Sequence, residues 1–217
     1  MMAESTKSER DRLVPVLECG LTSLKIDTSQ AIRNALLDYL ELLEKWNRVH
    51  NLTAIRTAEA MVSTHLLDSL SVLPYLPRGE LLDVGTGGGL PGIPLALVNG
   101  QLSVTLIESN QKKAAFLRQA VGELAIPNAT VVCENVNQWH SPRKFACIIS
   151  RAFAEISKFI ASSRHLLAGG GIFAAMKGRY PDEEIKSIPE GFVLKQAIEL
   201  NVPGLNAARH LLIIGRA

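Results

Sequence analysis

Over residues 31–46 the apolar side chains Ile32, Leu36, Tyr39, Leu40, Leu43 and Trp46 recur every three or four positions. That period predicts an amphipathic helix, and Thr28 and Ser29 suit its N-terminal cap. Residues 57–73 keep the same period, with Val62, Leu66, Leu70 and Leu73 inward, and Pro74 closes that helix. The stretch 74–80, PYLPRGE, reads as a linker, so residues 1–79 form a small helical N-terminal region. From Glu80 the pattern changes. Short β-rich runs at 81–84, 104–108, 130–133, 146–150 and 172–176 alternate with helical stretches at 91–98, 110–124 and 155–167. This alternation predicts βαβ units with right-handed crossovers and a mostly parallel sheet, an α/β fold over 80–217. The runs 192–202 and 210–216 are joined by too few residues for a crossover helix, so they should form an antiparallel C-terminal hairpin.

Composition narrows the class. The chain has 217 residues, 47% hydrophobic and 20% charged, a globular balance that excludes a disordered or fibrous chain. No apolar run approaches the roughly eighteen residues of a membrane span, and the N-terminus lacks the apolar stretch of a secretory signal. Cys19, Cys133 and Cys147 are far apart with no CxxC spacing, and the five histidines show no metal-ligand spacing. Reduced thiols in a cytoplasmic, metal-free protein are expected. The net charge is only +2. A nucleic-acid partner must therefore be met through local patches, with few counterions released and a shallow salt dependence.

The chemistry concentrates in residues 81–92, LLDVGTGGGLPG. A hydrophobic strand runs into Asp83, then Gly85, Gly87, Gly88 and Gly89, and Pro91 suits the first turn of a helix. Such glycines permit positive φ and let a ligand approach bare backbone. Gly87-x-Gly89-x-x-Gly92 formally matches a dinucleotide fingerprint, with the helix N-terminus turned to a pyrophosphate. In that register the first glycine follows the strand too late, and Asp83 stands in the pyrophosphate's way. The frame Asp83-x-Gly85-x-Gly87-x-Gly89 instead sets a carboxylate at the strand tip, which suits the ammonium and sulfonium of S-adenosyl-L-methionine. Glu108, at the end of the second strand, is placed to accept hydrogen bonds from ribose hydroxyls, a device that nicotinamide enzymes share. Three readings stay open on these residues: a methyltransferase, a NAD-dependent oxidoreductase, and a non-catalytic RNA-binding module.

The chain resembles the RsmG (GidB) family of bacterial 16S rRNA (guanine-N7) methyltransferases. The resemblance is carried by KWNRVHNLT (45–53), HLLDSL (65–70), LLDVGTGGGLPGIPLA (81–96), KKAAFLR (112–118), SRAFA (150–154), MKG (176–178) and RHLLII (209–214). It implies a class I methyltransferase Rossmann-like sheet behind a small helical region. It also implies methyl transfer from S-adenosyl-L-methionine to N7 of a guanine in the 530 loop of 16S rRNA, on the small ribosomal subunit or an assembly intermediate. Carried over by position, it places cofactor contacts on Gly85, Leu90, Val136, Asn137 and Arg151. Asn137 stands where the family often has glutamate, and Gly88 where alanine or proline is common, which should loosen the loop. A monomer is expected.

The remaining residues fit that chemistry. Guanine N7 carries an in-plane lone pair and no proton, so attack on a sulfonium methyl needs no general base. The Asn/Asp-Pro-Pro-Tyr motif of exocyclic-amine methylation and the Pro-Cys of carbon-5 methylation are both absent. Arg151, at the end of the fourth strand, is expected to position substrate by holding the cofactor carboxylate or guanine O6. Phe153 suits either stacking on the target base or a place in the core. Lys177 and Arg179 follow the fifth strand, within reach of phosphate or simply solvated. Lys112, Lys113 and Arg118 mark a solvated helix face. His65 and Asp68, one helical turn apart, are expected to form a structural hydrogen-bonded pair, and Tyr39 and Trp46 to fill the core.

Overall fold

The computed structural model describes residues 8–151, 153 and 155–217. Ala152 and Ala154 of the 150–154 motif and residues 1–7 of the polar N-terminus lie outside the described residues. The chain opens with α1 (Glu9–Ser23), which the hydrophobic period did not single out. Ser8 and Asp11 close a reciprocal capping box at its start, which satisfies two amide donors at once. The first predicted helix is α2 (Gln30–His50); the Ser29 side chain caps Ile32 N at 3.3 Å, and Asn51 ends the helix in the left-handed region.

The second predicted helix is interrupted. Thr57 caps α3 (Ala58–Met61), a π-helical turn follows over Val62–Leu67, and α4 (Asp68–Leu70) completes it. In the π turn the Asp68 amide is shared between His65 O and Ser63 O, the latter five residues back, and does not go to Thr64 O. Pro74 falls in a short 3-10 turn, Leu73–Tyr75, beyond the end of that helix.

The strands are β1 (Gly79–Val84), β2 (Leu102–Ile107), β3 (Ala129–Val132), β4 (Phe145–Ser150), β5 (Leu167–Lys177), β6 (Phe192–Glu199) and β7 (His210–Arg216). They form one sheet of order β3-β2-β1-β4-β5-β7-β6. Strands β1 to β5 are parallel, and β7 runs antiparallel to both β5 and β6. The crossovers carry α5 (Gly92–Val98), α6 (Gln111–Glu123) and α7 (Ile156–Ser163), and a short α8 (Asp182–Lys186) precedes the hairpin. The helix predicted over 155–167 ends at Ser163 and tightens into a 3-10 turn, after which β5 starts five residues earlier than expected.

Alternation along the strands sorts the core into two faces. Leu81 joins a cluster with Leu36, Leu43, Val62, Ile93 and Leu117, so the N-terminal helices pack on the same face as α5 and α6. Leu82 joins the opposite cluster with Ile148, Phe159 and Phe173 under α7. Trp46 sits edge-on to Phe116, with ring centroids 5.7 Å apart. No helix among the described residues is long and apolar enough to cross a membrane.

Candidate active site

The carboxyl ends of β1, β2, β4 and β5 share one edge of the sheet, where open α/β folds bind ligands. The glycine-rich turn after β1 is laced down from three sides. Gly85 N donates to Ile107 O at 3.0 Å, Tyr39 Oη donates to Gly88 O at 2.5 Å, and Gly87 N donates to Glu108 Oε2 at 3.1 Å. Gly85, Gly87 and Gly89 all take positive φ, as the turn requires. Gly92 is needed for a different reason: a Cβ there would stand 2.2 Å from Leu106 and 2.8 Å from Asp83 Oδ2.

Asp83 does not stand open at the strand tip as expected. It is fully buried, and its Oδ2 accepts from Thr86 Oγ1 at 2.5 Å and from Gly92 N at 2.9 Å. The carboxylate thus caps α5 and closes the loop from below. Its other oxygen has no hydrogen-bond partner, and burial pushes its pKa up to about 6. Glu108 is also inward, with Oε1 accepting from Asn110 N at 2.9 Å and Oε2 from Gly87 N.

Above this turn lies a cleft of about 240 Å³. Gly85, Val136 and Asn137 line it together, joined by Ser109, Glu134, Asn135 and Phe153. Gly85 presents bare backbone opposite the Phe153 ring, 4.0 Å from where a Cβ would sit. Gly87, Gly89 and Leu90 shape the loop from behind and do not line the cleft. Asn137 Nδ2 donates to Asn135 Oδ1 at 3.1 Å, leaving the amide oxygen as its acceptor. None of the described residues lining the cleft is basic, and Glu134 is among them. This acceptor-rich lining suits a ligand with hydroxyls, an amino group and a sulfonium. It disfavours a pyrophosphate, for which the α5 N-terminus is also spent on Asp83.

A second cleft of about 300 Å³ is lined in part by residues at the carboxyl ends of β4 and β5. Thr64, His65 and Asp68 form one wall, and Arg151, Lys177 and Arg209 contribute to the other. Because the π turn takes the Asp68 amide away from Thr64 O, that carbonyl accepts from Arg151 Nη1 at 3.0 Å. The same guanidinium reaches Asp68 Oδ2 at 3.3 Å, while Arg209 Nε reaches Asp68 Oδ1 at 3.1 Å. Asp68 is 1% exposed. Burial raises its pKa against the pull of the two guanidiniums.

Residues 32–212 match the family described as rRNA small subunit methyltransferase G (GidB). The chain belongs to that family. It is 50% identical over 199 residues to the ribosomal RNA small subunit methyltransferase G of Laribacter hongkongensis, covering 92% of this chain and 96% of that one. The protein of the same name from Methylobacillus flagellatus is 51% identical over 200 residues, covering 91% and 96%. Among solved structures, the glycopeptide N-methyltransferase MtfA complexed with S-adenosyl-L-methionine superposes with a TM-score of 0.62 at 12% identity, over 70% of this chain and 87% of that one. A Geobacter sulfurreducens S-adenosylmethionine-dependent methyltransferase superposes with 0.55 at 13%, over 83% and 98%. These likenesses establish the class I methyltransferase fold. The family makes the chain an S-adenosylmethionine-dependent rRNA methyltransferase, and the oxidoreductase reading falls away.

Several expectations need correction within this frame. His65 does not pair with Asp68; its Nε2 lies 2.8 Å from Thr53 Oγ1, and Asp68 is held by the arginines. The Lys177 ammonium lines the second cleft, bound by Glu184 at 2.7 Å and by the Phe153 carbonyl at 3.1 Å. Arg179 is exposed on the loop beyond and does not line the cleft. Phe153 belongs to the first cleft, not the second. Tyr39 fills the core as expected but also carries a loop contact. Gly88 lies close to Leu43, whose Cδ1 would stand 3.1 Å from a Cβ there, and its carbonyl accepts from Tyr39. Arg209 and Thr64 escaped sequence reading. The only signal for Arg209 was its place in the RHLLII segment, and a backbone carbonyl leaves no signal at all.

Proposed function

We propose that this enzyme methylates N7 of a guanine in the 530 loop of 16S rRNA, with the guanine in the second cleft and the methyl donor in the first. The observation that carries this reading is the arrangement at Arg151. Its guanidinium lines the second cleft, and the carboxylate among the described residues that line it, Asp68, is taken up by Arg151 and Arg209. His65 is the histidine that lines the second cleft, and burial together with Arg151 lowers its pKa to about 4. It is neutral at physiological pH and turned to Thr53. N7 has a lone pair in the ring plane, so an aimed base is sufficient and a general base is not required.

Bound in the first cleft, S-adenosyl-L-methionine supplies an electrophilic methyl group on sulfonium sulfur. The chain's own residues do the rest. Gly85, Val136 and Asn137 hold the adenosine end, Glu108 braces the loop beside the ribose, and Asp83, Gly87, Gly89 and Leu90 keep the turn in shape. Arg151 positions the reacting edge of the guanine, with Asp68 fixing the guanidinium. The helical region 1–79 serves domain 80–217 by walling the second cleft. We place the enzyme in the cytoplasm, acting as a monomer.

The test is rRNA from a deletion strain, read by mass spectrometry and primer extension. One N7-methylguanine should vanish from 16S rRNA, return with the wild-type chain, and not return with Arg151→Ala. Loss of a different methylated base, or of none, overturns the reading.

A further inference from the structure

Beyond the two clefts, the rim at the end of β5 carries an aromatic ring with no part in the core. Tyr180 is 42% exposed. Among the described tyrosines, tryptophans and phenylalanines it is matched in exposure by Tyr75 alone, at 40%. A single exposed ring is ordinary on a protein surface, so its place and its bracing decide whether it has a role. The two rings differ in place. Tyr75 lies four residues before the start of β1, at the edge of the sheet away from the clefts. Tyr180 lies two residues beyond Gly178, which lines the second cleft.

The Tyr180 ring is also held. It meets the His210 ring edge-on, centroids 5.6 Å apart with planes at 76°, a favourable aromatic geometry. His210 is fixed in turn: its Nδ1 donates to Gly178 O at 2.9 Å, and it pairs with Lys177 in the β5–β7 register. Its chain neighbour Arg209 lines the cleft. A ring anchored in this way loses little freedom on meeting a flat ligand.

We propose that Tyr180, braced by His210, is a stacking platform for the nucleotide next to the target guanine. Single-stranded RNA is recognised by splaying bases onto aromatic side chains. A guanine lowered into the second cleft leaves its neighbour at the rim, where Tyr180 stands. The local charge is mixed, with exposed Arg179 on one side and exposed Asp182 and Glu183 on the other. The platform therefore acts through its ring face and not through phosphate attraction. The proposal rests on the base-in-second-cleft reading above.

The experiment measures methyl transfer to protein-free 16S rRNA and to small subunits, at low and high salt. In parallel, fluorescence anisotropy measures binding of a labelled single-stranded oligonucleotide carrying the target loop. The proteins are wild type, Tyr180→Ala, Tyr180→Phe and Tyr75→Ala. Tyr180→Ala should raise KM for RNA and weaken oligonucleotide binding on the order of ten-fold. That loss should be equal at both salt levels, with kcat and S-adenosyl-L-methionine affinity unchanged. Tyr180→Phe keeps the ring and should stay within about two-fold of wild type, as should Tyr75→Ala. Equal KM and binding for wild type and Tyr180→Ala overturns the platform. Equal damage from Tyr180→Phe also overturns it, because the hydroxyl would then be the contact. Loss confined to assembled subunits assigns the ring to a protein neighbour and overturns it too. If the wild-type chain transfers no methyl to guanine N7, the parent reading fails, and the anisotropy ratio alone decides the platform.

Discussion

The hydroxyl of Tyr39, midway along α2, donates to the carbonyl of Gly88 in the glycine-rich loop, 2.5 Å away and wholly out of solvent. Burial raises the Tyr39 pKa well above the usual phenol range, so the proton stays on oxygen and the group acts as a donor. This one bond ties the helical region to the backbone that shapes the first cleft.

Tyr39→Phe removes the donor and leaves the Gly88 carbonyl buried without that partner. It should cost about 1–3 kcal/mol of stability. Because the unsatisfied group lies in the loop, affinity for S-adenosyl-L-methionine should fall as well. Urea unfolding and calorimetric titration together check this; a variant that loses stability but binds the cofactor as wild type does would detach the bond from the cleft.

Glu108→Ala tests the strand end. From sequence alone this change should weaken cofactor binding and spare the fold. In the structure both carboxylate oxygens take backbone amides, from Gly87 and from Asn110, the N-cap of α6. We therefore expect cofactor affinity to fall by about 1.5–3 kcal/mol and thermal stability to fall with it. Undiminished affinity in a titration would remove Glu108 from the cofactor site.

What the sequence made legible follows from how each feature is encoded. The strand runs, the antiparallel hairpin and the glycine turn are written in hydrophobic period and in glycine spacing, and the structure has them; the order of the strands is not written there. The inward turn of Asp83 was not legible, because a carboxylate at a strand tip can face a ligand or its own loop. Only the packing of Gly92 against Leu106 decides for the loop. The π turn was hidden for a similar reason: Val62, Leu66 and Leu70 satisfy helical spacing whether or not one residue is inserted into the hydrogen-bond ladder. That insertion is what frees Thr64 O for Arg151. It also moves Asp68 out of any pairing with His65 that a regular helix would suggest.

Asp83 and His65 should give opposite pH dependences of stability. The folded pKa of Asp83 is raised, to about 6 from 3.8. Its folded form therefore binds the extra proton between those values, and its contribution to stability improves as pH falls through 6 toward 4. The folded pKa of His65 is lowered, to about 4 from 6.5. Its unfolded form takes up the proton first, so its contribution is lost as pH falls from 6.5 toward 4. Each effect is on the order of 3 kcal/mol across its window, so in the wild type they largely cancel. Urea unfolding at pH 7 and at pH 4.5 should show Asp83→Asn losing relative to wild type on acidification and His65→Gln gaining. Parallel profiles for the three proteins would show that neither group is perturbed by burial.

The pH dependence of the chemical step separates a positioned reaction from a base-catalysed one. With saturating RNA and S-adenosyl-L-methionine, the single-turnover rate should be flat from mildly acidic to neutral pH. N7 has no proton to lose, His65 does not titrate in that range, an arginine stays charged throughout, and Asp83, whose pKa of about 6 does fall there, lines neither cleft. The rate should depend instead on where the Arg151 guanidinium is held. Arg151→Lys keeps the charge but loses the planar guanidinium whose Nη1 donates to both Thr64 O and Asp68 Oδ2, so it should slow the step, and Arg151→Ala should slow it further. Asp68→Asn removes the charge between Arg151 and Arg209. It should lower kcat more than it lowers cofactor affinity, without introducing any pH dependence. His65→Ala should reduce stability more than rate. A rate that follows a pKa near that of free histidine, and loses the dependence in His65→Ala, would mean that a general base operates after all. The arginine and its buried carboxylate would then be accessory to the step and not its main support.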